Sequence, residues 1–191
     1  MIASLRVNAT ASRLQRTQAG LLLVDLQERL LPAMAEPARV LQNAVRLAQT
    51  AEILGVPTFV TEQYPKGLGP TVPEVAGAVD GFAPWAKLTF SACGVPGLMA
   101  ALRAENVQQV MLCGIEAHVC VCQTGLELLE RGFGVFAVAD AMGSRTAENH
   151  RCGVERLRDA GAVVVSTEMG LFELLARAGT AEFKAVQALV K

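Results

Sequence analysis

The sequence predicts an α/β domain with a parallel sheet covered by helices on both faces. Short, continuous apolar runs alternate along the chain with longer segments whose apolar residues recur at the helical period. A continuous apolar run is typical of a strand buried on both faces, and its alternation with helices indicates parallel strands joined by helical crossovers. The 191 residues, 52% of them hydrophobic, are enough for one full core, and neither an internal repeat nor a linker divides them.

Five elements are predicted in the first part of the chain. Strands are expected at residues 20–24, 56–60 and 86–90, and helices at residues 37–55 and 96–106. Asp25 closes the first strand, and Gly55 ends the first helix. Residues 61–73, which are polar and rich in proline and glycine, are expected to form a loop.

The second part of the chain continues this alternation. Strands are expected at residues 109–113, 134–139 and 162–166, and helices at residues 119–131, from a cap at Ser144 or Thr146 to Ala160, and over most of residues 168–191. Asp140 follows the strand at residues 134–139, and Gly161 terminates the helix before the last strand.

Composition and charge argue against several classes of partner. The net charge is −1 and 18% of the residues are charged, which gives no support to binding of nucleic acid or of a membrane surface. No apolar run approaches the roughly 20 residues that span a bilayer. No glycine-rich phosphate loop follows a predicted strand, so no dinucleotide cofactor is expected. The high apolar content predicts contact with another subunit, in a homodimer or a larger symmetric oligomer.

The cysteines indicate a reducing compartment. They number five, in a chain that is not short and shows no secretory signal, so a cytoplasmic protein without a disulfide framework is expected. Residues 1–19 differ from the domain predicted for residues 20–191, because they carry three arginines and no acid. In a eukaryote they would resemble an organellar transit peptide. The preferred interpretation is an N-terminal arm that is mobile or docked on the surface.

The stretch 110–124 is the first candidate for chemistry. A predicted buried strand breaks at Gly114, and Cys120 follows in the first turn of the next predicted helix. The unpaired N–H groups and the positive dipole end there favour a thiolate, which predicts an activated nucleophile. Two alternatives remain open. Cys120 is either a small buried hydrophobe or a member of a metal cluster with His118 and Cys122, although that spacing is not a recognised zinc motif.

Three functional groups lie where predicted parallel strands end, just beyond which such sheets place their chemistry. Asp25 ends the first strand, Lys87 lies at or near the third, and Cys120 follows the fourth through a turn. The carboxylate can accept the thiol proton, the ammonium can keep the carboxylate ionised, and the thiolate can attack a carbonyl carbon. Alone, each residue has a structural explanation as a helix cap, a solvated lysine or a core cysteine. Their coincidence at strand ends favours a catalytic site.

Three motifs resemble those of the isochorismatase-like cysteine hydrolases, a superfamily that includes nicotinamidases and N-carbamoylsarcosine amidohydrolases. They are VDLQ at residues 24–27, WAKLTFS at residues 85–91 and GIEAHVCV at residues 114–121. Their order and spacing match the superfamily, and the resemblance runs from residue 20 to residue 174. The loop TEQYPKGLG at residues 61–69 is similar to the branch of isochorismatase domain-containing proteins, some of which are labelled mitochondria-associated ribonuclease.

The resemblance implies a fold and a set of site residues. The fold is a three-layer, Rossmann-like domain whose six parallel strands lie in the order 3-2-1-4-5-6, with the site at the switch between strands 1 and 4. The implied catalytic triad is Asp25, Lys87 and Cys120. A cis peptide bond between Ile115 and Glu116 is also implied. It turns a backbone N–H toward the substrate and forms an oxyanion hole with the N–H of Cys120.

The segment after the second predicted strand departs from the nicotinamidase pattern. Nicotinamidases carry a histidine-containing metal site there, whereas this chain has Glu62, Gln63 and Tyr64. His118 stands where the nicotinamidase motif has an aspartate. Neither a metal nor a cofactor is therefore expected, and nicotinamide is not the expected substrate. Isochorismatases proper lack the cysteine that this chain keeps at Cys120.

The predicted function is metal-independent hydrolysis of a small amide or related acyl substrate through a thioester. Substrate contacts are predicted at Gln27, Glu62, Tyr64, Trp85 and His118, with a surface role for His118 as an equal alternative. The competing interpretations are a catalytically silent scaffold that retains the fold, and an isochorismate-type vinyl ether hydrolase. A ribonuclease conflicts with the acidic charge and with the absence of basic–aromatic clusters.

Overall fold

A six-stranded parallel sheet forms the centre of the computed structural model, which describes residues 13–191. The strands lie in the order β3-β2-β1-β4-β5-β6. Their bounds are β1 Ala19–Val24, β2 Thr58–Gln63, β3 Trp85–Lys87, β4 Gln109–Ile115, β5 Gly134–Gly143 and β6 Val163–Val165. The predicted order 3-2-1-4-5-6 is confirmed. The central pair, β1 and β4, marks the switch point at which the order of strands reverses direction.

Helices cover both faces of this sheet, as predicted. Their bounds are α1 Pro37–Leu54, α2 Pro65–Leu68, α3 Pro73–Ala76, α4 Leu98–Ala104, α5 Cys122–Glu130, α6 Ala147–Asp159, α7 Thr167–Leu175 and α8 Ala181–Val190. Among the helices of residues 13–191, none combines the length and the hydropathy that a membrane span requires.

The apolar run of β1 is explained by burial on both faces. Leu21 and Leu23 belong to the core cluster that includes residues of α1 and α7. Leu22 and Val24 belong to a second cluster, which includes residues of α4, α5 and α6. Since successive side chains of a strand point to opposite faces, a strand between two helical layers needs apolar residues at every position.

Three strands extend beyond the predicted ends: β4 by two residues, to Ile115, and β2 and β5 by more. The pattern ends β2 at residue 60 and β5 at residue 139, whereas the strands continue to Gln63 and Gly143. Apart from the buried Met142, the extra residues of β2 and β5 are polar or small, but their backbones remain paired: Gln63 is in register with Lys87, and Gly143 with Ile115. Backbone pairing therefore continues beyond the hydrophobic signal, at the edge of the sheet where the predicted functional groups lie.

Two other segments differ from the expectation. β3 is shorter than the predicted strand at residues 86–90, because the backbone turns after Lys87 and directs the carbonyls of Thr89 and Phe90 at the Lys87 ammonium. The helical tail is divided into α7 and α8 after Ala176, which has a left-handed backbone with φ 58°.

The helix predicted at residues 119–131 is also divided. Ala117–Val121 forms a π-helical turn, and α5 begins only at Cys122. π-helical turns are rare and frequently occur at functional sites. Gly153 of α6 lies directly against this turn, since a Cβ at that position would be 2.6 Å from the carbonyl oxygen of Ala117. The turn is thus held from behind by the backbone of α6.

The predicted N-terminal arm, residues 1–19, lies partly outside the described residues, which begin at Arg13. In the described part, Leu14 is buried and its N–H donates a hydrogen bond to the Glu173 carboxylate at 2.8 Å. Ala19 is the first residue of β1. Residues 13–18 therefore run along the surface of the domain into its central strand.

Candidate active site

The three groups predicted at strand ends lie together in the structure. Asp25 follows β1, Lys87 is the last residue of β3, and Cys120 lies in the π-helical turn after β4. Lys87 Nζ is 2.7 Å from Asp25 Oδ2, and the Cys120 thiol is within hydrogen-bonding reach of the same carboxylate. This position beside the switch point is where doubly wound sheets have their ligand crevice.

A glycine allows the two central strands to approach closely at this edge. Gly114 of β4 has a φ of 119°, a conformation that L side chains rarely adopt. A Cβ at Gly114 would lie only 2.1 Å from the carbonyl oxygen of Val24, the residue before Asp25. Any other residue here would separate the strand that carries Asp25 from the strand that leads to Cys120.

Asp25 is a fully buried carboxylate with two defined partners. Thr61 Oγ1 donates to Oδ1 at 2.8 Å, and Lys87 Nζ donates to Oδ2 at 2.7 Å. Burial raises the pKa of Asp25, and the nearby Lys87 ammonium and Thr61 hydroxyl offset part of that rise. Asp25 is consequently a stronger base than an exposed aspartate.

Lys87 has a side chain with no solvent exposure, and its ammonium is satisfied by oxygen atoms. Besides Asp25, the acceptors are Gln63 Oε1 at 2.7 Å and the carbonyl oxygens of Phe90 and Thr89 at 3.0 and 3.3 Å. Burial of a charge is costly unless the group is paired and hydrogen-bonded, and this set of oxygens supplies both conditions. The ammonium is thereby held in place beside Asp25.

Cys120 is protonated at neutral pH in this environment. Its side chain is largely buried, with 5% of the residue exposed. Burial raises the pKa of the Cys120 thiol to about 12, and the adjacent Asp25 carboxylate contributes to the rise, while Lys87 opposes it. The expectation that the helix start produces a ready thiolate is therefore wrong, since burial and a neighbouring carboxylate outweigh it. The thiol needs a base, and Asp25 is in place to be that base.

Sequence reasoning missed two residues that hold the triad, Thr61 and Gln63. It selected Glu62 and Tyr64 instead, because β2 was expected to end before all four. β2 continues to Gln63, so its side chains alternate, and residues 61 and 63 share one face. Extending the period-two pattern of β2 by three residues is the signal that would have found them.

Gln27 and Glu62 hold a loop in the structure rather than reaching toward the thiol. The Gln27 amide accepts from the N–H of Gln63 at 2.8 Å and donates to the carbonyl oxygens of Gln63 and Gly69 at 3.0 and 2.6 Å. Glu62 Oε1 accepts from the N–H and the hydroxyl of Thr71 at 2.7 and 2.8 Å. Both side chains attach residues 69–71 to the end of β2.

The other predicted substrate contacts are more accessible. Tyr64 is 51% exposed and has a strained, left-handed backbone with φ 38°. Trp85 is half-buried at the start of β3. His118 is half-buried in the π-helical turn, and its Nδ1 lies 3.0 Å from Ser144 Oγ.

Two exposed apolar residues lie next to the site and were not anticipated. Leu88 is 77% exposed and Phe90 is 53% exposed. Their position follows from the turn after Lys87, because the neighbouring carbonyls face the ammonium and the side chains are left outside. This apolar rim of the site is available to a substrate or to another subunit.

The residues implied for the oxyanion hole lie directly before Cys120. The peptide bond between Ile115 and Glu116 is cis. Glu116 is buried, and its Oε2 accepts from Arg145 Nε at 3.0 Å. The Glu116 carbonyl oxygen accepts from the N–H of Val119 at 3.0 Å, which closes the first part of the turn.

The alternative of a metal cluster at His118, Cys120 and Cys122 finds no support. Within residues 13–191, no group of three or more histidine, cysteine or acidic side chains is arranged to hold a metal ion. Residues 118, 120 and 122 follow a helical path, so their side chains diverge.

The strand order and the site at the switch point define an isochorismatase-like hydrolase fold. A family model described as the isochorismatase domain matches residues 19–169. The chain belongs to the isochorismatase domain family.

Relatives of similar length support this assignment. Isochorismatase domain-containing protein 2 of Danio rerio is 41% identical over 95% of this chain and 91% of its own length. Isochorismatase domain-containing protein 2 of Homo sapiens is 39% identical over 90% of this chain and 82% of its own length.

Solved structures share the fold over most of both chains. MAR1 ribonuclease from Caenorhabditis elegans has a TM-score of 0.88 and 38% identity, covering 93% of this chain and 92% of its own. The YcaC gene product of Escherichia coli, described as an octameric hydrolase of unknown specificity, has a TM-score of 0.87 and 27% identity, with coverage of 93% and 90%. YcaC from Pseudomonas aeruginosa, solved with hexane-2,5-diol and covalent acrylamide, has a TM-score of 0.87 and 28% identity, with coverage of 94% and 92%.

Proposed function

We propose that the protein hydrolyses a small amide or related acyl substrate through a thioester on Cys120. The observation that carries this proposal is the placement of a buried thiol beside a carboxylate that is itself held by a buried ammonium. Asp25, Lys87 and Cys120 each have a part in acyl transfer, and together they make a complete set.

In the first step, Asp25 accepts the thiol proton as Cys120 Sγ attacks the carbonyl carbon. The new C–S bond gives a tetrahedral oxyanion. This collapses to a thioester as the C–N bond breaks, and the leaving nitrogen takes the proton from Asp25. Lys87 stabilises the ionised carboxylate before the transfer and after it. The site thus needs no thiolate at rest, which agrees with a thiol pKa of about 12.

In the second step, water hydrolyses the thioester. Asp25 accepts a proton from the water, the water oxygen attacks the acyl carbon, and the C–S bond breaks to return the proton to Cys120. The backbone N–H groups of Glu116 and Cys120 are the proposed donors to the oxyanion in both steps. They belong to the segment that the cis peptide and the π-helical turn shape.

The relatives lend support of two kinds. The Pseudomonas aeruginosa YcaC structure contains covalent acrylamide, so a protein with this fold reacts with a small amide-bearing electrophile. The Escherichia coli relative is described as an octameric hydrolase. With the exposed Leu88 and Phe90, this supports a homodimer or a larger symmetric oligomer. A monomer by light scattering at micromolar concentration would contradict that assembly.

The proposed substrate is a small neutral amide other than nicotinamide. Glu62 and Gln63 occupy the positions where nicotinamidases have metal ligands. Here Glu62 is hydrogen-bonded to Thr71, and Gln63 is hydrogen-bonded to Lys87. Orientation of the substrate then comes from Tyr64, Trp85 and His118 and from the apolar rim at Leu88 and Phe90.

A turnover screen of small amides tests the proposal. Wild type is expected to release ammonia or an amine, and Cys120→Ser is expected to keep the fold and lose nearly all turnover. Cys152→Ser is the matched control, because Cys152 is exposed on α6 and has no proposed role. Full activity in a folded Cys120→Ser would overturn the nucleophile. Activity that EDTA abolishes and zinc restores would overturn the metal-independent reaction.

Two other functions are outcomes of the same screen. Release of pyruvate from isochorismate by wild type would indicate vinyl ether hydrolysis in place of acyl transfer. The similarity to a protein called MAR1 ribonuclease makes RNA a necessary substrate in the panel. RNA cleavage that depends on Cys120, without amide turnover, would replace the present proposal. No turnover of any substrate would favour a silent scaffold.

A further inference from the structure

Thr124, near the start of α5, makes two hydrogen bonds with a hydroxyl that has no solvent exposure. Oγ1 donates to the carbonyl oxygen of Cys120 at 2.6 Å and accepts from the N–H of Ala92 at 2.9 Å. A hydroxyl has one proton and an N–H can only donate, so both roles are fixed. Thr124 therefore joins the backbone of the nucleophile to the segment that follows β3.

The segment on the other side of Thr124 forms part of the lysine site. The carbonyl oxygens of Thr89 and Phe90, which accept from Lys87 Nζ, lie three and two residues before Ala92, respectively. A hydrogen bond from Thr89 Oγ1 to the carbonyl oxygen of Ser91, at 2.9 Å, stiffens the connection. The position of Ala92 thus limits where these two carbonyls can lie, and with them the Lys87 ammonium.

Two other bonds attach this segment to α5. One is a weak thiol bond from Cys93 Sγ to the carbonyl oxygen of Thr124 at 3.8 Å, and the other lies nearer to solvent. Ser91 Oγ donates to Glu127 Oε2 at 2.5 Å, and the Glu127 side chain, 32% exposed, also pairs with Arg131. Partial exposure lets water replace such a bond, whereas a fully buried donor that loses its acceptor has no substitute. The Thr124 hydroxyl, with bonds of 2.6 and 2.9 Å, is therefore the strongest buried attachment between the two halves of the site.

We propose that Thr124 is a positioning residue that couples the Cys120 thiol to the Lys87 ammonium, a role that rests on the proposed thiol chemistry. Asp25 must contact Lys87 and the thiol at the same time, so a shift of either segment impairs proton transfer. Substrate binding depends on other residues, and the loss therefore falls on kcat rather than on KM. Misplacement by about 1 Å is enough to reduce a rate about 10²-fold.

Thr124→Val and Thr124→Ser test this role. Valine keeps the shape and removes both hydrogen bonds, and kcat is expected to fall about 10²-fold with little change in KM. Serine keeps the hydroxyl and is expected to restore most of the lost kcat. The alkylation rate of Cys120 by dilute iodoacetamide, measured by mass spectrometry, should follow kcat in all three proteins, because it reports on the thiol without a substrate.

Two matched threonine variants control for a merely structural effect. Thr167→Val removes a hydroxyl that bonds to Asp140 Oδ1 at 2.9 Å after β6. Thr50→Val alters a buried hydroxyl of α1 for which the described part of the chain supplies no partner. Thr167→Val is expected to lower the melting temperature, and both controls are expected to keep the wild-type kcat and alkylation rate.

The outcomes separate the two proposals. Wild-type kcat and alkylation rate in Thr124→Val would overturn the positioning role, as would an equal loss of activity in Thr124→Val and Thr167→Val. Failure of Thr124→Ser to recover would do the same. Absence of amide turnover and of selective Cys120 alkylation in wild type would overturn the proposed function itself, and the role of Thr124 with it.

Discussion

Burial of a carboxyl, an ammonium and a thiol in one place sets the protonation states of the site. The thiol pKa of about 12 leaves Cys120 protonated at neutral pH. Burial also raises the pKa of Asp25, but Lys87 at 2.7 Å and the Thr61 hydroxyl favour the ionised carboxylate. The reaction is therefore base-assisted, and its rate depends on the ionisation of Asp25 rather than on a thiolate formed in advance.

The pH dependence of kcat/KM tests this assignment. Activity requires ionised Asp25, so it should rise with pH, with a midpoint above the ordinary aspartate value of 3.8, because burial raises the pKa. Lys87 lowers the pKa of Asp25. Its removal in Lys87→Met therefore raises that pKa further and shifts the acid limb to higher pH, along with a loss of rate. Lys184→Met, an exposed lysine of α8, should leave the profile unchanged. A midpoint that stays constant or falls in Lys87→Met would contradict the role of the pair.

The sequence predicts which residues form the candidate site better than it predicts the pKa values of those residues. Asp25 and Cys120 each follow a predicted strand and Lys87 lies at or near another, so their meeting at one edge could be predicted from the topology of a parallel sheet. Thr61 and Gln63 were missed because the hydrophobic signal of β2 ends before them, and only an extension of its period-two pattern identifies them. The sequence also could not predict that the pKa of Cys120 is raised. That shift depends on how deeply the side chain is buried and on which charged neighbour lies closest.

At the scale of secondary structure, the π-helical turn is the element that presents the nucleophile. The apolar period predicts one continuous helix at residues 119–131, since a turn of five residues is too short to show a different period. The apolar pattern of the sequence also does not predict the close contact between this turn and Gly153 of α6. Both features arise from packing between elements that are distant in sequence.

Gly153→Ala tests whether this contact positions the nucleophile. The new Cβ would lie 2.6 Å from the Ala117 carbonyl oxygen, and a backbone atom can give way only if the turn moves. We expect a destabilisation of about 1–3 kcal/mol in denaturant unfolding and a lower kcat. Gly134→Ala is the control, because its nearest neighbour is at 3.5 Å. Equal behaviour of the two variants in both measurements would contradict the role of the contact.

At the scale of the whole molecule, the candidate active site lies at the switch point of the sheet, where the order of strands reverses. Alternating strands and helices predict a parallel sheet, and the resemblance to a family supplied the order 3-2-1-4-5-6 that the structure has. Alternation alone leaves the order open, because it is decided by which faces the helices cover. The family match over residues 19–169 covers all six strands and the triad. The organisation of the sheet thus brings residues 25, 87 and 120 into contact across the chain.

Competition among the five cysteines for dilute iodoacetamide at neutral pH is the most direct measurement of the central claim. Exposure alone favours Cys152, since it is the exposed cysteine, whereas Cys93, Cys113, Cys120 and Cys122 are buried. Base assistance by Asp25 predicts instead that Cys120 is alkylated first. It also predicts that Asp25→Asn slows Cys120 by about 10²–10⁴-fold and leaves Cys152 unchanged. Faster labelling of Cys152 in wild type, with the same Cys120 rate in Asp25→Asn, would contradict the account.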